Sequence, residues 1–198
     1  RGVSLQALIG ANPQIRNPHL IQPGQTLNIP AGGAAPGATP GATPPRGSTP
    51  TGNASGARTV QIAESFLNRN ASELKRSGQL PMDPSVPSNL CCANFVSAVL
   101  RKNGLMTARE HTNAVRQLDI TLRNKGWQPV NMANAKPGDV VIMQRGGVSH
   151  TEIVAKNENG RVTLIGSNNR NADGSQRITY DPGPWWHSKV SAILTPPR

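Results

Sequence analysis

The stretch Asn89-Leu90-Cys91-Cys92-Ala93-Asn94-Phe95-Val96-Ser97-Ala98-Val99-Leu100 decides how the rest of the chain is read. Counting from Cys92, apolar residues fall at 95, 96, 99 and 100, the spacing of one face of an amphipathic helix. Ser88 or Asn89 is placed to cap its start, and Lys102 with Gly104 marks its end. Cys92 then lies in the first turn. There the unpaired N–H groups and the positive end of the helix dipole favour a thiolate over a thiol. The competing reading is a small buried hydrophobe, since free cysteine is among the most buried residue types. Against it, the chain's two cysteines are adjacent, a spacing that does not suit disulfide geometry. At least one thiol is therefore available for other work.

Composition divides the 198 residues unevenly. Between residues 31 and 58 there is no Val, Ile, Leu, Met or aromatic residue, so this segment has no core to bury. It repeats a Pro-Gly-Ala-Thr unit at Pro36-Gly37-Ala38-Thr39-Pro40-Gly41-Ala42-Thr43-Pro44 and reads as a linker. The formal net charge of +11 calls for an anionic partner. Nucleic acid is disfavoured, because the basic residues form no dense run and aromatic residues make up only 3%. No apolar run approaches the ~18–20 residues that span a bilayer.

Ahead of the linker, apolar residues at Leu5, Leu8 and Ile9 suggest a short helix stopped by Asn12-Pro13. Pro23-Gly24 forms a turn into the short alternating strand Gln25-Thr26-Leu27-Asn28-Ile29-Pro30. After the linker, helical periodicity runs from Thr59 to Ser77, and a third helix is predicted from about Thr112 to Lys125. From Trp127 onward the pattern changes to strands. Lys136-Pro137-Gly138-Asp139 turns into Val140-Val141-Ile142-Met143, and Gly146-Gly147 turns into Val148 to Ala155. Asn159-Gly160 is a strong hairpin signal leading to Arg161 to Asn169. Two closing strands follow at 176–180 and 189–194, with Trp185-Trp186-His187 between them. Helices followed by an antiparallel meander of about five strands, with the Cys92 helix packed on the sheet, make the fold class α+β.

Strand alternation puts His150, Glu152 and Val154 on one face, and Val162, Leu164, Gly166 and Asn168 on one face of the neighbouring strand. A thiolate nucleophile needs an imidazole beside it, and the imidazole needs a polar group to fix its tautomer. Cys92, His150 and Asn168 are the candidates for those roles. Taken alone, a strand histidine is more often structural, and His111 reads as a surface or capping residue.

Four motifs come in order: Cys92-Ala93-Asn94-Phe95-Val96, Pro137-Gly138-Asp139-Val140-Val141, His150-Thr151-Glu152-Ile153-Val154, and Val162-Thr163-Leu164-Ile165-Gly166-Ser167-Asn168. Together they resemble the NlpC-type cell-wall cysteine peptidases, a papain-like group that shades into the CHAP amidases. Gly2 to Leu8, Ala11-Asn12-Pro13 and Ile21 to Pro30 resemble the second half of a LysM module. LysM modules bind N-acetylglucosamine-containing glycans; no glycan-binding residue is assigned here. The resemblance implies a papain-like fold and a peptidoglycan hydrolase that cuts stem-peptide bonds through a Cys-His acyl-enzyme, with D-glutamate–diaminopimelate endopeptidase activity expected first. The muramoyl–L-alanine amidase and a non-catalytic wall-binding protein stay open beside it.

The expected domains are a partial LysM-like module at 1–30, a linker at 31–58 and a hydrolase domain at 59–198. Glu152, Ser149 and Trp186 are candidate substrate contacts, Glu152 having His150 as its other possible partner. No metal or cofactor is called for. The expected partners are peptidoglycan and, for an antibacterial enzyme, an inhibitory immunity protein, with the protein a monomer in a secreted or periplasmic setting. Four departures from the resemblance stand out. Cys91 takes the place of a frequent aspartate, no Tyr-x-x-Gly-Gly segment precedes the cysteine, Glu152 replaces a small residue two positions beyond the histidine and on its face, and Gly166 stands where CHAP enzymes carry a glutamate.

Overall fold

The computed structural model describes residues 11–12, 26–29 and 52–197, which fall in two units, 1–47 and 48–198. In the first unit the side chain of Asn12 brackets the backbone of Asn28. Its Oδ1 accepts from the Asn28 N–H at 2.7 Å, and its Nδ2 donates to the Asn28 carbonyl at 2.8 Å. A paired, buried Asn12 thus joins the loop to the predicted strand segment. The helix expected over residues 3–9 and most of the Pro/Gly/Ala/Thr linker lie outside the described residues.

The second unit holds four α-helices followed by a six-stranded antiparallel sheet: α1 (Gly52–Glu64), α2 (Ala71–Ser77), α3 (Cys92–Lys102), α4 (Val115–Asn124), β1 (Gln128–Pro129), β2 (Val140–Met143), β3 (His150–Glu158), β4 (Arg161–Asn169), β5 (Gln176–Asp181) and β6 (Val190–Thr195). The strand order is β1-β6-β2-β3-β4-β5. The strand beyond the expected five is β1, a two-residue edge pairing with Thr195 and Leu194. It is too short to leave an alternation in the sequence.

One face of the sheet packs on the helices. Val140, Ile142, Ile153, Ile165, Ile178 and Leu194 join Phe95, Val96, Val99 and Leu100 of α3 in one apolar cluster. The other face carries Val141, Met143, Val154, Val162, Leu164 and Ile193, covered by Trp186. At the hairpin tip, Asn159 and Gly160 both take positive φ, 55° and 87°, as a tight turn between right-twisted strands requires.

Two helices differ from their sequence patterns. The run expected from Thr59 to Ser77 is two helices, broken around Asn68, whose φ of 64° leaves the helical region. The Asn68 N–H turns away to the Ile178 carbonyl, and Asn70 bridges to Arg177, so the sheet edge takes the backbone bonds a continuous helix would have used. Moreover, α1 begins at Gly52, seven residues ahead of the expected Thr59. At Ser55, Gly56 and Thr59 it packs by small residues rather than large apolar ones. A Cβ on Gly56 would lie 2.2 Å from the Pro137 carbonyl oxygen. The Thr59 hydroxyl donates to Ser55, and Asn103 donates to both. Close backbone approach replaces hydrophobic periodicity here, which is why the segment reads as linker.

Candidate active site

The N-terminus of α3 is fixed from the far end of the chain. Gln176, at the start of β5, accepts from the Cys91 N–H at 2.8 Å and from the Ser167 hydroxyl at 2.9 Å. Its own N–H donates to the Ser88 carbonyl, and Asn169 Nδ2 donates to the Asn89 carbonyl at 3.2 Å. These contacts correct the capping expectation. The N-cap position is Cys91, without a side-chain cap, and the carbonyls of Ser88 and Asn89 serve the strands instead. The helix is also buried on all sides from Cys92 to Leu100, not along one stripe. Its polar members are satisfied internally. Asn94 brackets the Asp83 backbone through both amide atoms, and Ser97 donates to the Thr112 carbonyl at 2.9 Å.

The two adjacent thiols meet different surroundings. Cys91 has no exposed surface and its Sγ donates to the Pro87 carbonyl at 3.3 Å. Burial pushes its thiol pKa up, opposed only in part by Lys75. Cys92 occupies the first helical position, is 7% exposed, and its sulfur adjoins the His150 ring.

His150 is the first residue of β3. The β3–β4 register, Ile153 opposite Ile165, continues to set Glu152 opposite Gly166 and His150 opposite Asn168. The ring Nε2 lies 2.9 Å from Asn168 Oδ1 and 3.3 Å from Glu152 Oε1. The Asn168 carbonyl oxygen can only accept, so Nε2 is the donor in this contact. Burial alone would lower the ring's pKa, but the Cys92 side chain and the Glu152 carboxylate outweigh it and push it up to about 10. Asn168 is held in turn. Its Nδ2 donates to Glu152 Oε2 at 3.3 Å and to Thr179 Oγ1 at 3.2 Å.

The structure therefore brings together Cys92, His150 and Asn168, and adds Glu152 behind them. Glu152 has no exposed surface, so of its two expected partners it takes the ring and not the substrate. Trp186 is likewise corrected. It is fully buried against Val141, Val154 and Leu164, out of reach of any substrate. Its neighbour Trp185 is the exposed indole, and its Nε1 donates to Asp181. Ser149 is exposed in the loop entering β3, next to His150. His111 is no simple surface residue; its Nε2 lies 3.1 Å from Asn94 Oδ1, and burial lowers its pKa. Nothing in the sequence marks Gln176 and Thr179, because a polar residue at a strand end or on a strand carries no local signal of its distant partner. Among the described residues, no group of three or more His, Cys, Asp and Glu side chains is arranged to hold a metal ion.

Comparison with known proteins assigns two segments. Residues 83–168 match the CHAP domain family, a span that opens at Asp83 and closes on Asn168. Residues 2–30 match the LysM domain family. No curated protein gives a match. Among solved structures, a crystal structure of Ly7917 is similar at 12% identity and a TM-score of 0.46, covering 71% of this chain and 62% of that one. The α+β architecture, with helices ahead of an antiparallel sheet, agrees with the papain-like fold expected of a CHAP domain. In this chain a segment that matches the CHAP domain family, residues 83–168, thus follows one that matches the LysM domain family, residues 2–30.

Proposed function

We propose that the protein is a peptidoglycan hydrolase in which Cys92 is the nucleophile, His150 the proton carrier and Asn168 the group that holds the ring. A CHAP domain implies amidase or peptidase action on peptidoglycan, and a LysM domain implies attachment to the same polymer. The observation that carries the reading is the line from a helix-start sulfur through the His150 ring to Asn168 Oδ1, 2.9 Å beyond. Cys91, turned to the Pro87 carbonyl in the core, supports Cys92 as the reactive thiol.

In this cycle the Cys92 thiolate attacks an amide carbonyl and a tetrahedral oxyanion forms. Its collapse breaks the C–N bond while His150 gives its proton to the departing amine. Water then attacks the thioester with His150 as base. The C–S bond breaks, the carboxylic product leaves, and the proton returns to the Cys92–His150 pair. The scissile bond we assign first is the one between D-glutamate and diaminopimelate, the muramoyl–L-alanine amide being the alternative. Residues 1–30 hold the enzyme on the wall, the linker that follows tethers it, and the catalytic unit begins with α1 at Gly52 rather than at residue 59. Such a substrate sets a secreted or periplasmic place of action. No helix among the described residues is long and apolar enough to cross a membrane.

Mass spectrometry of muropeptides from purified sacculi tests this. The wild type is expected to release fragments with a new amino terminus at diaminopimelate, and Cys92→Ala none, while Cys91→Ala remains active. Release of intact stem peptides starting at L-alanine would reassign the bond to the amidase. Sedimentation with sacculi without any release would leave a wall-binding protein.

A further inference from the structure

Glu152 is a fully buried acid that the cycle above does not use; burial pushes its carboxyl pKa up, and the His150 ring beside it pulls the other way. A carboxylate without water is costly unless its neighbours compensate, so those neighbours indicate its role. They come from every element packed around it. Within β3, His150 Nε2 lies 3.3 Å from Oε1. From β4, Asn168 Nδ2 donates to Oε2 at 3.3 Å, and the same amide donates to Thr179 Oγ1 on β5. Also on β5, Asp181 is a second negative charge acting on Glu152, itself engaged by Trp185 Nε1 and lying 3.8 Å from Arg170. From α3, the Cys92 sulfur adjoins the other side of the ring.

The opposite strand makes room for this arrangement. A Cβ on Gly166 would sit 2.5 Å from Glu152 Cγ and 3.0 Å from both Cδ and Oε2. Gly166 is not among the glycines with positive φ, so its backbone conformation does not demand glycine. What demands it is the Glu152 side chain lying across its Cα. The two positions are complementary in size, a long acid on β3 over a missing side chain on β4.

We propose that Glu152 is a positioning residue for His150, seated over Gly166 and shared with Asn168, which fixes the ring's orientation and retains its proton while Cys92 attacks. The kinetic half of this inference rests on the hydrolase reading; the pairing does not. It also accounts for the direction of the ring's titration, which the carboxylate and the thiol raise against burial. Glu152 touches no substrate, so it acts on turnover through the ring and not on substrate affinity.

The test has a spectroscopic and a kinetic arm. In the Cys92→Ala protein, NMR titration of the His150 ring is expected to show Glu152→Gln lowering its pKa by at least about one unit. In the active enzyme, Glu152→Gln is expected to lower kcat by about 100-fold and leave KM within about twofold. The alkaline limb of its pH profile moves to lower pH. Gly166→Ala, which displaces the acid without altering any charge, is expected to change both readouts in the same direction and to a smaller extent. It also keeps the test decisive if Glu152→Gln does not fold. A ring titration indifferent to both variants, or a rise in KM with kcat preserved, overturns the proposal. Absence of any turnover in the wild type defeats the hydrolase reading instead, and the NMR arm still decides for or against the pairing.

Discussion

Toward the turn end of the β3–β4 hairpin the residues on one face are Val154, Val162 and Leu164, packed with Trp186. Toward its open end, beyond an irregularity in the pairing between Val154 and Lys156, the same face carries His150, Glu152, Gly166 and Asn168. The first group is held by apolar burial, which is non-directional and tolerates substitutions of similar volume. The second is held by the His150–Asn168 and Asn168–Glu152 hydrogen bonds and by the 3.3 Å approach of the ring to Glu152 Oε1, with Glu152 and Asn168 buried and His150 half-buried. One hairpin therefore divides into an apolar half that packs and a polar half that holds the His150 ring. The polar half keeps its pairing because Val154 opposite Leu164 and Ile153 opposite Ile165 set the register on its side of that irregularity.

The largest effect that tests this division is on turnover. His150→Gln keeps a donor near Glu152 and Asn168 but cannot exchange a proton. It is expected to lose at least about 1000-fold in kcat, with the thermal midpoint little changed. Equal losses of activity and stability would mean that the open end is a structural network after all. Muropeptide release and differential scanning calorimetry on the same preparation separate the two.

The converse substitution is Trp186→Ala, at the apolar end. Removing a fully buried indole from the cluster of Val141, Met143, Val154 and Leu164 is expected to cost about 3–5 kcal/mol in denaturant unfolding. The molecules that remain folded should bind and cleave substrate with unchanged KM. A raised KM with little loss of stability would restore Trp186 to the substrate contacts and break the comparison.

A smaller effect comes from pH. His150 has its pKa raised from the ordinary 6.5 to about 10 in the folded protein. A group raised in this way contributes stability that is fully present below its unfolded value and is lost as pH rises through the folded one. The contribution therefore declines from about pH 6.5 to about pH 10. Urea titrations across that window should show a fall that is absent in His150→Gln. Acid loss in its place would place the charge balance of the open end on the wrong groups.

The two ends also differ in what the sequence made legible. The turn, the alternating strands and the order Cys92, His150, Asn168 are local patterns, and the structure brings all three residues together. Glu152 and Gly166 each stand out in the sequence as departures from the resemblance, but their fit to each other is not legible, because a glycine within a strand says nothing about which distant side chain fills its place. The burial of Trp186 is hidden for a related reason. In Trp185-Trp186-His187 nothing local distinguishes the buried indole from the exposed one, and the short 3-10 helix from Pro184 to Lys189 decides it by turning residue 186 onto the sheet. The start of α1 escaped because Gly56 and Gly138 pack by backbone proximity, which has no hydrophobic period.

The smallest expected effect concerns the turn, where the division between the two ends is sharpest. Gly160 has a φ of 87°, so Gly160→Ala forces an alanine into the left-handed region. No atom outside its immediate chain neighbours lies near the new Cβ, so the cost is conformational alone. A destabilisation of about 1 kcal/mol is expected, with unchanged turnover per folded molecule. The reason turnover should hold is that several residues of packed β3–β4 pairing lie between the turn and His150, and the Val154–Leu164 register absorbs a local strain before it reaches the ring. If activity fell with this variant, the register at the open end would depend on the turn directly. The apolar half of the hairpin would then be a conduit for strain rather than a buffer against it.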